Sequence, residues 1–129
     1  MIGKNNPLNV RFNSLNRWRG LTGQTRGFCD FESEYYGVRA AMYLLIRSYK
    51  ARNIVTYSEM IKRYAPPTEN NTGAYVRFIC ESMNVFPFDV PLYLSNWIDL
   101  FYYMSKYEGN SLSKDTIEKY LYKFLGESK

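Results

Sequence analysis

From residue 33 onward, apolar residues recur at helical spacing in five separate runs, each bounded by a capping residue, a proline or a glycine. No feature of the chain constrains its fold more. Val38, Ala41, Leu45 and Tyr49 lie on one helical face with Met42 and Leu44 beside it, which predicts a helix from an N-cap at Ser33 to about Arg52. Thr56 and Glu59 have capping-box spacing and open a second helix whose stripe is Tyr57, Met60, Ile61 and Tyr64. It must end near Ala65, because Pro66 and Pro67 disfavour helical geometry before and at their own positions. Tyr75, Phe78, Ile79 and Met83 mark a third helix, with Asn71 or Thr72 at its cap, and the run "NVFPFDVPLYL" follows as an extended connector. Ser95 is expected to cap a fourth helix, carrying Trp97, Leu100, Phe101 and Met104 and stopping at Gly109. Ser113 caps a fifth, with Ile117, Tyr120, Leu121 and Phe124, closed by Gly126.

The first 32 residues read differently. "LNVRF" and "GFCDF" alternate like short strands, and "NSLNRWRGLTGQTRG" between them is rich in turn residues. The fold class expected is therefore mainly α: a single domain over residues 1–129, with an extended or β-hairpin part at 1–32 and about five helices over 33–126. A length of 129 residues suffices for one core and is too short for two.

Composition narrows the chemistry. The chain has no histidine, which removes Ser-His-Asp and Cys-His catalysis and histidine-based metal sites. Carboxylates are left for acid–base work near neutral pH. No cofactor is implied. Cys29 and Cys80, the only cysteines, make neither a disulfide framework nor a zinc site and read as buried thiols. The net charge of +5 is spread singly along the chain without a Lys/Arg block. Nucleic acid therefore ranks last among partners, for want of a reading motif. The opening "MIGKNNPLNVRFN" has no apolar signal region and no run could span a membrane, so synthesis in the cytoplasm is expected.

Four stretches are candidates for function. In "RYAPPTENNTGAY", capping accounts for one acidic residue and one cap but not for the stiff approach imposed by two prolines, so Glu69, Asn70 and Thr72 stand both as helix start and as ligand contacts. "NRWRG" sets Trp18 between Arg17 and Arg19, able either to stack on a ring or to anchor the N-terminal part to the helices. Glu32 and Glu34 stand at a helix start, where one of them can serve the dipole. Glu108 ends the fourth helix, where a carboxylate opposes the negative end of the dipole, and placement against local preference points to function.

The segments "NPLNVRFN", "WRG", "GFCDFESEYYGVRA", "YAPPTENNTGAYV" and "MSKYEGN", in that order, resemble a family of small phage and prophage virion proteins with lysozyme-like character. Members of that family read N-P-G-N-I-R, W-x-G, F-x-x-F with G-I-R-A, A-P-P-x-E-N-x-T-x-x-Y and a helix ending H-E-N-G. The resemblance covers roughly residues 5 to 110. Here Leu8 replaces the glycine of the first motif, and Y-E-G-N replaces the last, keeping only Glu108. The N-terminal motifs are also similar to those of glucosaminidases and lytic transglycosylases, in which such a loop follows a helix ending in the catalytic glutamate; the helix ending at Glu108 would be that piece, rearranged. The resemblance implies a lysozyme-like helical domain acting on peptidoglycan or another glycan polymer, with Glu108 as general acid and Glu69 as second carboxylate where hydrolysis needs one. Arg11, Trp18, Asn70, Thr72 and Tyr75 would contact the substrate. It also implies a protein associated with the virion or released on lysis, with other virion proteins as partners. The alternative is a non-catalytic virion component or wall-binding module.

Overall fold

The computed structural model describes residues 1–68 and 71–127. Two short strands, β1 (Leu21–Thr25) and β2 (Phe28–Phe31), form an antiparallel hairpin. Arg26 and Gly27 form its two-residue loop, both with positive φ (50° and 87°). Paired left-handed residues match the right-handed twist of the strands they join. The hairpin was expected, but β1 comes from the stretch read as turn. "LNVRF" adds only one bridge, between Arg11 and Phe28. Its alternation is real, since Leu8 and Val10 are buried and Arg11 is exposed. It does not run on as a strand because Asn9 is left-handed (φ 52°) and the Val10 N–H is taken by the Asn6 side chain, while the Val10 carbonyl accepts both from Asn6 Nδ2 and from the Cys29 N–H of β2 at 3.0 Å.

Five helical stretches follow among the described residues, as the apolar stripes require. The first begins as α1 (Glu34–Met42), passes without interruption through a π-helical segment (Tyr43–Ser48) and ends in one α turn, α2 (Tyr49–Ala51). Ser33 stands at the N-cap, although its side chain makes no capping bond. The next helix, α3 (Tyr57–Tyr64), carries the complete Thr56–Glu59 capping box and stops before the prolines. In α4 (Thr72–Met83) the cap is Asn71, whose side chain accepts from Ala74 N–H at 3.1 Å. The chain leaves that helix through left-handed Asn84.

The start of α5 (Leu94–Tyr107) departs from expectation. Tyr93 occupies the N-cap and Ser95 lies inside the first turn. The Asn96 side chain reaches back to accept from Leu92 and Tyr93 N–H at 3.0 Å each, doing the work assigned to Ser95. The last helix, α6 (Lys114–Gly126), starts as expected, with Ser113 Oγ accepting from Thr116 N–H.

The helices pack α3 on α4, α4 on α5, α5 on α6 and α6 back on α1, while β2 rests against α1. Tyr57, Tyr75, Phe31, Phe101 and Phe124 are the largest side chains sealed in the common core. Cys29 and Cys80 are buried free thiols, and burial pushes the Cys29 thiol up to about 11. The N-terminal loop lies directly on α1: a Cβ on Gly37 would stand 2.0 Å from the Asn5 carbonyl oxygen. Close approach of two backbones is what demands glycine there. Among the described residues no helix is long and apolar enough to cross a membrane.

Candidate functional site

The loop "NNPLN" is held by its own amides. Asn6, fully buried, donates from Nδ2 to the carbonyls of Val10 (3.0 Å) and Cys29 (2.9 Å) and accepts from Val10 N–H (2.9 Å). Asn5 donates to the Phe31 carbonyl at 3.0 Å. A loop braced in this way presents Asn9 to the end of α5, and several elements meet there. Tyr64, the last residue of α3, donates to the Leu8 carbonyl at 2.6 Å, and Asn110 donates to that of Pro7 at 2.9 Å. Leu8 itself, in place of the glycine of the resembling motif, is a fully buried core residue.

Glu108 lies at the centre of this junction. It caps α5, and Gly109, with φ of 85°, turns the chain away behind it. The two carboxylate oxygens have separate donors: Asn9 Nδ2 at 2.9 Å from Oε1 and Tyr75 OH at 2.9 Å from Oε2. Half-burial raises the Glu108 pKa above the ordinary carboxylate value of 4.5, and the hydrogen bonds from Asn9 and Tyr75 and the charge of Arg11 offset only part of that rise. The Tyr64 and Tyr75 phenols are held protonated, chiefly by burial and next by the neighbouring Glu108 charge. Asn9 Oδ1, with no hydrogen-bond partner among the described residues, is a buried acceptor left open beside the carboxylate.

Burial lets such a carboxyl group hold its proton to a higher pH than a free one, which suits proton donation, while the two donors fix its position and favour its ionised form. Among the described residues no group of three or more Cys, Asp or Glu side chains is placed to hold a metal ion.

The sequence-based candidates separate clearly. Glu108 and Tyr75 touch, and Arg11 acts on Glu108 through its charge while its guanidinium lies 4.7 Å from the centre of the Phe28 ring. The Thr72 hydroxyl is buried and donates to the Ala65 carbonyl at 2.5 Å, tying the start of α4 to the end of α3. Trp18 packs elsewhere, edge-on to Tyr43 of the π segment at 5.8 Å. Glu34 accepts from Tyr120 OH at 2.9 Å, joining α1 to α6. Glu69 and Asn70 lie outside the described residues.

Three participants were not singled out as site residues from sequence. Asn9 belonged to a quoted motif, but nothing local reveals its left-handed turn toward Glu108. Tyr64 read as part of an apolar stripe, although its hydroxyl was a signal that one end of the ring needs a polar partner. Tyr107, beside Glu108 in the chain, stacks on Tyr75 with ring centres 4.0 Å apart.

In comparisons with known proteins, no family model matches this chain and no curated protein matches it.

Proposed function

We propose that the protein is a virion-associated, lysozyme-like protein that cleaves glycan strands of peptidoglycan, with Glu108 as general acid. The observation that carries this reading is the convergence of Asn9 and Tyr75, from two separate motifs of the resemblance, on the two oxygens of one carboxyl group. Protonated Glu108 would deliver its proton to the glycosidic oxygen as the bond to the anomeric carbon breaks. In a transglycosylase a hydroxyl of the substrate attacks the anomeric carbon in place of water and its proton passes to the Glu108 carboxylate left by the first step, so one carboxylic acid suffices. Hydrolysis calls for a second carboxylate, for which Glu69 is the candidate.

A second reading, that of a non-catalytic virion or wall-binding protein, is favoured by the same bonds seen differently. Both Glu108 oxygens are engaged by protein donors, as they would be in a clamp holding the N-terminal loop, α4 and α5 together.

Purified wild-type protein and its Glu108→Gln variant, incubated with Gram-negative and Gram-positive cell walls, separate the two. Clearing by wild type and its loss in a folded Glu108→Gln protein are the expected results. Wall binding without clearing by either protein overturns the enzymatic reading in favour of the second. Clearing by both would remove Glu108 from the acid role.

A further inference from the structure

The aromatic rings beside Glu108 form a connected series that starts in the core at Tyr75 and runs outward along α4 and α5, with Phe78 and Tyr103 packed against the core but partly open to solvent. Tyr75, whose hydroxyl reaches Glu108, is covered on one face by Tyr107, with ring centres 4.0 Å apart and planes 24° apart. Tyr107 then meets Phe78 at 5.4 Å with planes 46° apart, and Phe78 meets Tyr103 edge-on at 6.2 Å with planes 77° apart, so the ring faces turn along the series. Tyr75 is sealed in the core, whereas Tyr107 remains 38 % exposed and Phe78 and Tyr103 are half-buried. One helix supplies Phe78 and its neighbour supplies the two tyrosines, so rigid elements hold these rings in place. Past Tyr103 the series reaches Tyr102, at 5.0 Å, over which the ammonium groups of Lys106 (5.1 Å) and Lys114 (5.0 Å) both lie. Lys114 is itself paired with Asp99 at 3.1 Å, so the ledge starts at a carboxyl group and ends at the Lys106 ammonium.

The geometry points to Tyr107, Phe78 and Tyr103 as a stacking ledge for successive sugar rings of a glycan that carries acidic substituents. This rests on the glycan reading of Glu108 and adds where the polymer lies. Partly exposed rings receive the apolar C–H faces of pyranoses, and because these rings are turned relative to one another each would meet a different sugar of a twisting chain, their rigidity keeping the entropic cost of binding low. Charge selects the occupant. A phosphodiester chain would run its negative backbone past Glu108 once that carboxyl ionises, whereas a neutral sugar backbone does not, and its acidic side groups meet Lys106 at the far end.

The test uses full-length Glu108→Gln protein, which holds glycan without turning it over, and peptide-free peptidoglycan glycan strands as the probe. Adding Tyr107→Ala or Tyr103→Ala should each weaken retention about tenfold, while Tyr107→Phe, which keeps the ring, should hold within about twofold. Tyr103 makes the test independent of Tyr75, and a thermal melt of each variant confirms that it folds. Retention unchanged in both alanine variants would overturn the ledge and leave the acid role of Glu108 standing, provided that wild type still clears walls. Absence of retention by the Glu108→Gln protein while wild type clears walls would likewise overturn the ledge alone. Absence of both would overturn the glycan reading together with the ledge. Tighter retention of a single-stranded DNA oligonucleotide than of glycan at the same salt would overturn the choice of occupant.

Discussion

Replacing Tyr75 with Phe removes one oxygen atom and with it the 2.9 Å bond to Glu108 Oε2. Because Tyr75 is 1 % exposed and the ring stays, no cavity of consequence forms and no packing is lost. The cost is then that of one buried hydrogen bond, and it depends on the charge of the acceptor. With Glu108 ionised the loss should be about 1.5–3 kcal/mol, and with Glu108 protonated it should fall to about 1 kcal/mol. The sign follows from the Glu108 pKa, which lies above the unfolded value. The contribution of Glu108 to stability is therefore fully present below about 4.5 and is lost as pH rises through its folded value. Tyr75 offsets part of that loss, so its removal should hurt more at pH 8 than at pH 3.5. Urea unfolding of wild type and Tyr75→Phe at both values measures this directly, and in a Glu108→Gln background the same substitution should cost about 1 kcal/mol at either pH. For the proposed enzyme, losing a donor to the carboxylate raises the Glu108 pKa further, and the alkaline limb of the pH–rate profile should move upward. Equal destabilisation at pH 3.5 and pH 8 would refute the reasoning, since the bond would then not be made to a carboxylate.

Asn6→Ala should be among the most damaging single changes, at about 2–5 kcal/mol by chemical denaturation, because it strands the Val10 N–H and the Cys29 carbonyl in the interior, although the Val10 carbonyl keeps its bond from Cys29 N–H. Gly37→Ala should cost at least about 3 kcal/mol, or abolish soluble expression, as its methyl group runs into the Asn5 backbone; a melting temperature near wild type would show that the loop does not lie on α1. Glu127 accepts from Arg39 Nε at 2.9 Å, Arg19 Nη1 at 2.8 Å and the Tyr35 hydroxyl; burial alone would raise its pKa, but these donors hold it below the usual value of 4.5. Its stabilising effect is thus present above about 4.5 and disappears as pH falls through the lower folded value, so Glu127→Gln should destabilise by about 1–2 kcal/mol at pH 7 and by much less at pH 3, read from paired urea melts.

The helical part of this chain was legible because its signals are local. A stripe at 3.6-residue spacing, the Thr56–Glu59 box, the Asn71 and Ser113 caps and the Pro66–Pro67 stop each act within a turn or two of themselves, and α1 to α6 follow them closely. Ser95 misled because a serine before an apolar run looks like a cap, whereas the Asn96 amide reaches two backbone N–H groups at once. At the N-terminus local preference decided less. Both "LTGQT" and "LNVRF" lie along β2, but only the first pairs as a strand; the second is limited to one bridge and a few backbone bonds by the left-handed Asn9 and by the Asn6 amide that takes the Val10 N–H.

The candidate site divides in the same way. Glu108 could be singled out from sequence, because a carboxylate at the wrong end of a helix dipole is a local anomaly. Its two donors lie 99 and 33 residues away in the chain, and only the packing of the N-terminal loop against α5 and of α4 against α5 brings them to it. Sequence by itself therefore determined which segments are helical and which acid stands out. Tertiary structure alone decided what surrounds that acid, because burial and hydrogen bonding to a carboxyl group are made by residues that no local pattern can bring together.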